Sequence, residues 1–222
     1  MNRQGIGSDG ATEFLEWASG EGSRRHLLDS LAFRQLLQKH SIQRFAETVL
    51  GSNCFPVAAT LFAKSPDENW LVPWHQDVNI AVAEMHEVAG FGAWSVKGGI
   101  CYVQPPVFVM EGLLAVRIHL DRATSSGGTL RVLPATHMGG RLTEAEIGMA
   151  KARVEPMTIE GEAGSVMLMR PLLLHASSKR TDVDGARRVL HVEFAAAALP
   201  SPLRWRYESP WQSAIAKTRA SI

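Results

Sequence analysis

The sequence predicts a mainly β fold, a sandwich or jelly roll with helices packed on one face. Three observations carry this reading. Apolar residues recur at three- and four-residue spacing as far as Gly51. From Phe55 onward the period changes to two, in short runs broken by Gly, Pro, Asp and Ser. No β–α–β rhythm follows, so strands and helices are segregated along the chain.

The helical segments are EFLEWASG, RRHLLDSLAFRQLLQKH and SIQRFAETVLG. They are expected to form a layer on a sheet. Ser41 is positioned as the N-cap of the third and Gly51 as its stop. The strand candidates are FPVAATLFAK, DVNIAVAE, GICYVQ, LLAVRIHLD, TLRVLP, SVMLMR and RVLHVEFA. SPDENWLVP, GGRLTEAEIGMA and SSKRTDVDGA read as loops or short helical insertions. The expected organisation is one domain over residues 1–222. It comprises a helical layer (1–51), a β core (52–198) and a C-terminal tail (199–222).

Composition narrows the function. The chain has 222 residues, 45% hydrophobic and 20% charged, so it can bury a sizeable core. A net charge of +1 gives no basic excess, and no nucleic-acid partner is expected. Cys54 and Cys101 are scattered in apolar text and read as buried free thiols, not a disulfide framework or a zinc motif. The N-terminal residues lack the apolar region of a signal peptide. No apolar run reaches the roughly 18 residues of a membrane span. A cytoplasmic protein without a membrane partner is expected; oligomeric state is open. GGTLRVLPATHMGG lacks the spacing of a phosphate loop, and no G-x-S-x-G elbow supports a serine hydrolase.

The chemistry concentrates in NWLVPWHQDVNIAV and LLLHASS. His75 and Asp77 are two apart, and on a strand such residues face the same way. Gln76 then points elsewhere. His175 supplies a second imidazole beside another apolar strand. Two imidazoles and one carboxylate on one face of a metal leave the opposite positions open, the facial triad of non-haem iron(II) oxygenases. Twelve residues beyond His175, Arg187 and then Arg188 open the strand RVLHVEF. Alternation puts Arg187, Val189, His191 and Glu193 on one face and Arg188 on the other. A guanidinium on the inner face is suited to bidentate pairing with a carboxylate.

These pieces together resemble the phytanoyl-CoA dioxygenase family of iron(II)/2-oxoglutarate oxygenases. The matching runs are LFAKSPDENWLVPWHQD, LLAVRIHLDRATSSGGTLRVLPATHMGG and HASSKRTDVDGARRVLHVEF, in the family's order, over about Phe55 to Phe194. The resemblance implies a double-stranded β-helix (jelly roll, cupin-like) core. It also implies His75, Asp77 and His175 as iron ligands and Arg187 as the residue for the distal carboxylate of 2-oxoglutarate. Arg187 stands one residue further from His175 than is usual, so a one-residue insertion is assumed. Two other departures are Gly127-Gly128 for the usual N-G and Ala135-Thr136-His137 for G-S-H; neither is expected to touch the metal set.

Arg117, His119 and Asp121 alternate on one face of LLAVRIHLD. Arg117 reads equally as a co-substrate or substrate contact and as a structural ion pair with Glu193 or Asp121. Thr60 shares a face with Phe62 on the strand before H-x-D and reads equally as a plain strand threonine, and Ser177 shares the face of His175; both are candidates for holding 2-oxoglutarate. Trp94, Lys97 and Gln104 lie in and beside GFGAWSVKGG, a glycine-bounded loop and candidate lid, and are the candidate substrate contacts. Trp70 and Trp74 read as packing for the metal strand, and His26, His40 and His86 as surface residues.

The expected function is therefore an iron(II)- and 2-oxoglutarate-dependent dioxygenase, a hydroxylase consuming O2 and acting on a small organic molecule. Related halogenases replace the acidic ligand with a small residue, whereas Asp77 is kept here, which favours hydroxylation over halogenation; desaturation and epimerisation use the same triad and stay open. The competing readings are a metal-dependent hydrolase or isomerase on the same barrel and a metal- and acid-binding sensor.

Overall fold

A computed structural model describes residues 5–18, 22–182 and 186–207. The chain begins with helices α1 (Gly7–Trp17), α2 (Leu31–Lys39) and α3 (Gln43–Leu50). Two boundaries differ from expectation. The run RRHLLDSLAFRQLLQKH is not one helix. A short 3-10 turn at Leu27–Asp29 precedes Ser30, whose side chain accepts a hydrogen bond from the Phe33 N–H and starts α2. Ser41 is not the N-cap of α3. It adopts a left-handed φ of 52° at the junction, and Ile42 holds the cap position without a side-chain bond. Gly51 does end α3, at φ 83°.

Eleven strands follow among the described residues: β1 (Phe55–Lys64), β2 (Val72–His75), β3 (Ile80–Val82), β4 (Gly92–Lys97), β5 (Ile100–Gln104), β6 (Leu113–His119), β7 (Leu130–Val132), β8 (Met157–Thr158), β9 (Val166–Met169), β10 (His175–Ser177) and β11 (Arg187–Ala195). Helix α4 (Val107–Glu111) precedes β6, and α5 (Glu144–Arg153) follows β7. The TEAE of the expected insertion is a capping box, Thr143 with Glu146.

The strands form two four-stranded sheets, β1-β11-β6-β9 and β2-β10-β7-β8, plus the antiparallel trio β3-β5-β4. This is the jelly-roll, double-stranded β-helix architecture, mostly β with a helical layer. Period two explains how the larger sheet serves two environments. Ala59 and Leu61 on β1, Val116 and Ile118 on β6, and Leu190, Val192 and Phe194 on β11 join Phe33, Ile42 and Ala46 in one apolar core. Full burial of each large side chain contributes roughly 1.5–3 kcal/mol. The alternate residues Thr60, Phe62, Lys64, Arg117, Arg187 and His191 face the other way, into a cavity between the sheets.

Further differences concern segments near that cavity. GFGAWSVKGG is not a loop. It forms β4, paired to β5, with a register shift between Gly92 and Ser95 and Ala93 in the left-handed region at φ 49°. Cys54 is buried as expected, but Cys101 is only half-buried; both are free. Residues 199–207 pack Leu203, Trp205 and Tyr207 into the core. The chain beyond 207 lies outside the described residues. Among the described residues, no helix is long and apolar enough to cross a membrane.

Candidate active site

His75 closes β2 and His175 opens β10, and the two stand opposite each other in the antiparallel pair. Their rings lie 4.2 Å apart, centre to centre. Asp77 lies just beyond β2, in the connection to β3 and not on a strand, yet it projects with His75. Its N–H donates to the Pro171 carbonyl at 3.0 Å. Gln76, between His75 and Asp77, is buried and fixes this turn. Its amide nitrogen donates to the carbonyls of Leu172 (2.6 Å) and Gly140 (2.8 Å), and its oxygen accepts from the Leu142 N–H (2.8 Å).

The donor atoms of His75, Asp77 and His175 all lie within 4.8 Å of one another. The Asp77 carboxylate is 3.7 Å from His75 Nε2 and 3.5 Å from His175 Nε2. Each imidazole contacts a backbone carbonyl through Nδ1, His75 to Pro73 at 2.9 Å and His175 to Leu173 at 2.8 Å. With the Nδ1 protons there, both Nε2 lone pairs converge beside Asp77, the arrangement that metal-ligating histidines adopt. Burial pushes the His175 imidazole down to about 4, which leaves it neutral and able to ligate near neutrality. The three side chains therefore fit a divalent transition metal.

They open onto a cavity of about 390 Å³. Its far end is cationic: Lys64, Arg117 and Arg187 all line it, and all are buried. Lys64 Nζ donates to Ser177 Oγ at 2.8 Å and to the Ser178 carbonyl at 2.6 Å. Arg187 donates through one terminal nitrogen to the Gly128 carbonyl at 3.2 Å, while its Nε and other terminal nitrogen have no partner. Arg117 lies 5.7 Å over the Phe62 ring, near His191, with its Nε unpartnered. Burial pushes Lys64 down to about 8, Arg117 to about 9 and Arg187 to about 10, with repulsion from neighbouring cations contributing. All three remain charged at pH 7. Buried donors without partners are costly, and an anion placed among them removes that cost.

The structure brings together His75, Asp77, His175, Thr60, Ser177, Arg117 and Arg187 around this cavity. Arg188 faces away and makes a bidentate pair with Asp121, two contacts of 2.8 Å. That pair leaves Arg117 without the Asp121 partner considered above. Trp94 packs against the main core, Gln104 pairs with Gly92, and neither lines the cavity. Lys97 lies in an adjoining cavity that also touches His75 and Asp77, and His26, expected at the surface, lines it too. Trp70, expected as packing, lines the inner cavity.

The two glycine-turn departures also reach the site. Gly128 adopts φ 64°, and a Cβ there would sit 2.5 Å from the Ser178 carbonyl; its own carbonyl holds Arg187. Thr136 Oγ1 accepts from the Leu174 N–H at 2.9 Å, next to His175. The connection before Arg187, in which a one-residue insertion is assumed, includes residues 183–185, which lie outside the described residues. Lys64 escaped the sequence reading altogether. Its signal was the period of FPVAATLFAK, which carries Thr60, Phe62 and Lys64 onto one face.

Comparison with known proteins shows the family. The family model of phytanoyl-CoA dioxygenase matches residues 4–189, well over half the chain. The protein belongs to the phytanoyl-CoA dioxygenase family, enzymes whose cofactors are iron(II) and 2-oxoglutarate. Among solved structures it is similar to EvdMO1 (21% identity, TM-score 0.58), covering 78% of this chain and 35% of that one. It thus spans about a third of the EvdMO1 chain. HygX from Streptomyces hygroscopicus, crystallised with nickel and 2-oxoglutarate, shares 12% identity at TM-score 0.57, covering 86% of this chain and 80% of HygX. SnoN, an alpha-ketoglutarate-dependent epimerase from nogalamycin biosynthesis, shares 16% at TM-score 0.62, covering 87% and 77%. At these identities the likeness is one of fold. No curated protein matches the sequence.

Proposed function

We propose that this chain is an iron(II)- and 2-oxoglutarate-dependent dioxygenase that hydroxylates a small organic substrate. The observation that carries it is one cavity with the His75–Asp77–His175 set at one end and buried cations with unpartnered donors at the other. A dicarboxylate that reaches from the metal to Arg187 satisfies both ends.

Iron(II) held there, with 2-oxoglutarate and dioxygen, supplies oxidative decarboxylation to succinate and CO2 and the oxidation of a substrate. The chain's own contribution is placement and charge. Arg187 and Lys64 bind the distal carboxylate; Ser177, hydrogen-bonded to Lys64, aligns that lysine. Thr60, on the same β1 face, offers a hydroxyl nearer the metal. Arg117, flanked by Phe62 and His191, adds positive potential toward the middle of the cavity. Leu130, Val72 and Trp70 supply apolar wall that limits water. Gln76 keeps Asp77 and His75 aligned through its three backbone bonds.

The barrel hydrolase or isomerase reading uses the same three ligands but gives Lys64, Arg117 and Arg187 nothing to bind. Within the oxygenase reading, the epimerase activity named for SnoN shows that this fold is not confined to hydroxylation. Product analysis separates the two: a hydroxylated product carries one atom from 18O2, and an epimerised product carries none.

A further inference from the structure

The inner cavity continues into a second one of about 620 Å³, which shares Arg25, Thr60, His75, Asp77 and Glu193 with it. A co-substrate anchored on Arg187 leaves this outer space for the molecule that is oxidised. Its lining describes that molecule.

The apolar part of the wall is small: Ala58, Ala59, Val78 and Ala81. Among the described residues, no run of large aliphatic side chains lines it to receive an acyl chain. The rest is polar, with Asn79, Tyr102 and Tyr207 facing in. Charge sits at two places. Glu193 stands on the boundary between the cavities, its carboxylate 3.7 Å from His191 Nε2. Arg25, also shared by both cavities, and Lys97 are exposed, Lys97 with its Nζ 5.9 Å over the Tyr102 ring. Tyr102 in turn contacts His26 Nε2 at 3.3 Å.

Two local features hold this part of the wall in place. Arg24 forms a reciprocal backbone bridge with Leu61, at 2.9 and 2.8 Å, which fixes its neighbour Arg25 beside Thr60. His26 then adopts a left-handed φ of 59°. Such a conformation in a residue other than glycine costs on the order of 1 kcal/mol or more, and it clusters at binding sites.

The balance of charge gives the sign of the ligand. A divalent metal outweighs the single Asp77 carboxylate among its ligands. A doubly charged co-substrate does not neutralise that excess together with Lys64, Arg117 and Arg187. Glu193 removes only part of the remainder, and Arg25 and Lys97 add to it. A further anion is therefore favoured in the outer cavity.

We infer that the oxidised substrate is a small hydrophilic acid, its anionic group held by Arg25 and Lys97 and a hydroxyl or ammonium donor on Glu193. This rests on the dioxygenase reading only in that it takes the inner cavity to hold 2-oxoglutarate. The anionic group is a carboxylate or a phosphate monoester, and the test has an arm for each.

The test is anaerobic calorimetric titration of the iron-loaded protein, with and without 2-oxoglutarate. The probes are glycerate against glycerol, and glucose 6-phosphate against glucose. The inference expects an acid to bind at least tenfold more tightly than its neutral counterpart. Arg25→Glu and Lys97→Glu should each weaken that acid at least tenfold. Both positions are exposed, and melting temperatures check that the variants fold. Equal binding of the neutral counterparts, no effect of either charge reversal, or binding by none of the acids overturns it. Titration of 2-oxoglutarate itself into the same protein tests the parent reading separately. Acid binding without 2-oxoglutarate binding would overturn the dioxygenase while leaving the outer anion site standing.

Discussion

Lys64 stands directly opposite Arg187 in the β1–β11 pair, and both side chains are buried in the same cavity wall. Like charges set facing each other across a sheet are destabilising. Neither makes an ion pair with a carboxylate among the described residues, and an anion in the cavity completes the group.

Lys64→Met should therefore separate stability from binding. Removing a buried ammonium is expected to stabilise the protein lacking co-substrate by about 1–3 kcal/mol at pH 7. In the same variant, 2-oxoglutarate should raise the melting temperature less than in the parent protein, because Arg187 remains to bind the distal carboxylate. A thermal scan with and without the dicarboxylate checks both.

The pH dependence follows from the same lysine. Its value of about 8 lies below the ordinary 10.5, so the free folded protein binds fewer protons than the unfolded chain between those values. Lys64 thus contributes stability that rises with pH across that window. Binding has the opposite sign. A carboxylate needs the ammonium form, so 2-oxoglutarate affinity should fall as pH rises through about 8. Lys64→Arg should remove that fall, measured by anaerobic titration on either side of that value.

Arg187 and Arg188 are adjacent in sequence but predicted to differ in every respect. Arg187→Ala should weaken 2-oxoglutarate roughly 10- to 100-fold and spare metal binding. Arg188→Ala breaks the bidentate pair with Asp121 at the start of β11. It should cost about 1 kcal/mol of stability and leave co-substrate affinity unchanged. Paired titrations and denaturant melts on both variants check this.

Gln76→Leu tests how the metal turn is held. It strands the Leu172 and Gly140 carbonyls and the Leu142 N–H. A loss of about 2–4 kcal/mol and a roughly 10- to 100-fold drop in iron affinity are expected, although Gln76 is not a ligand. Metal competition titration reads the second effect.

The residues that the sequence revealed and those it hid differ for physical reasons. His75, Asp77 and His175 were singled out not by H-x-D alone, which is a weak signal, but by its linkage to a distal histidine, to Arg187 and to the TLRVLP strand. Arg187 was separable from Arg188 because period two assigns faces. Lys64 was not, since a lysine ending a strand before Ser-Pro reads as a solvated end. Only the register opposite Arg187 brings it inside. Strand β4 was hidden by its glycines and by Ala93 in the left-handed region, which break the alternation. The break before α2 was marked only by Ser30, whose capping role is visible once the Phe33 N–H is seen to need a partner. Arg25 carried no signal, because its place beside both cavities depends on the long-range Arg24–Leu61 bridge.

The central claim is that one cavity couples the metal set to the buried cations through 2-oxoglutarate. It is tested most directly by loading the protein anaerobically with iron(II) and 2-oxoglutarate, admitting oxygen and measuring succinate. The account predicts succinate in step with 2-oxoglutarate consumed, abolished in Asp77→Ala and sharply reduced in Arg187→Ala. A protein that binds iron but neither binds nor consumes 2-oxoglutarate would contradict it.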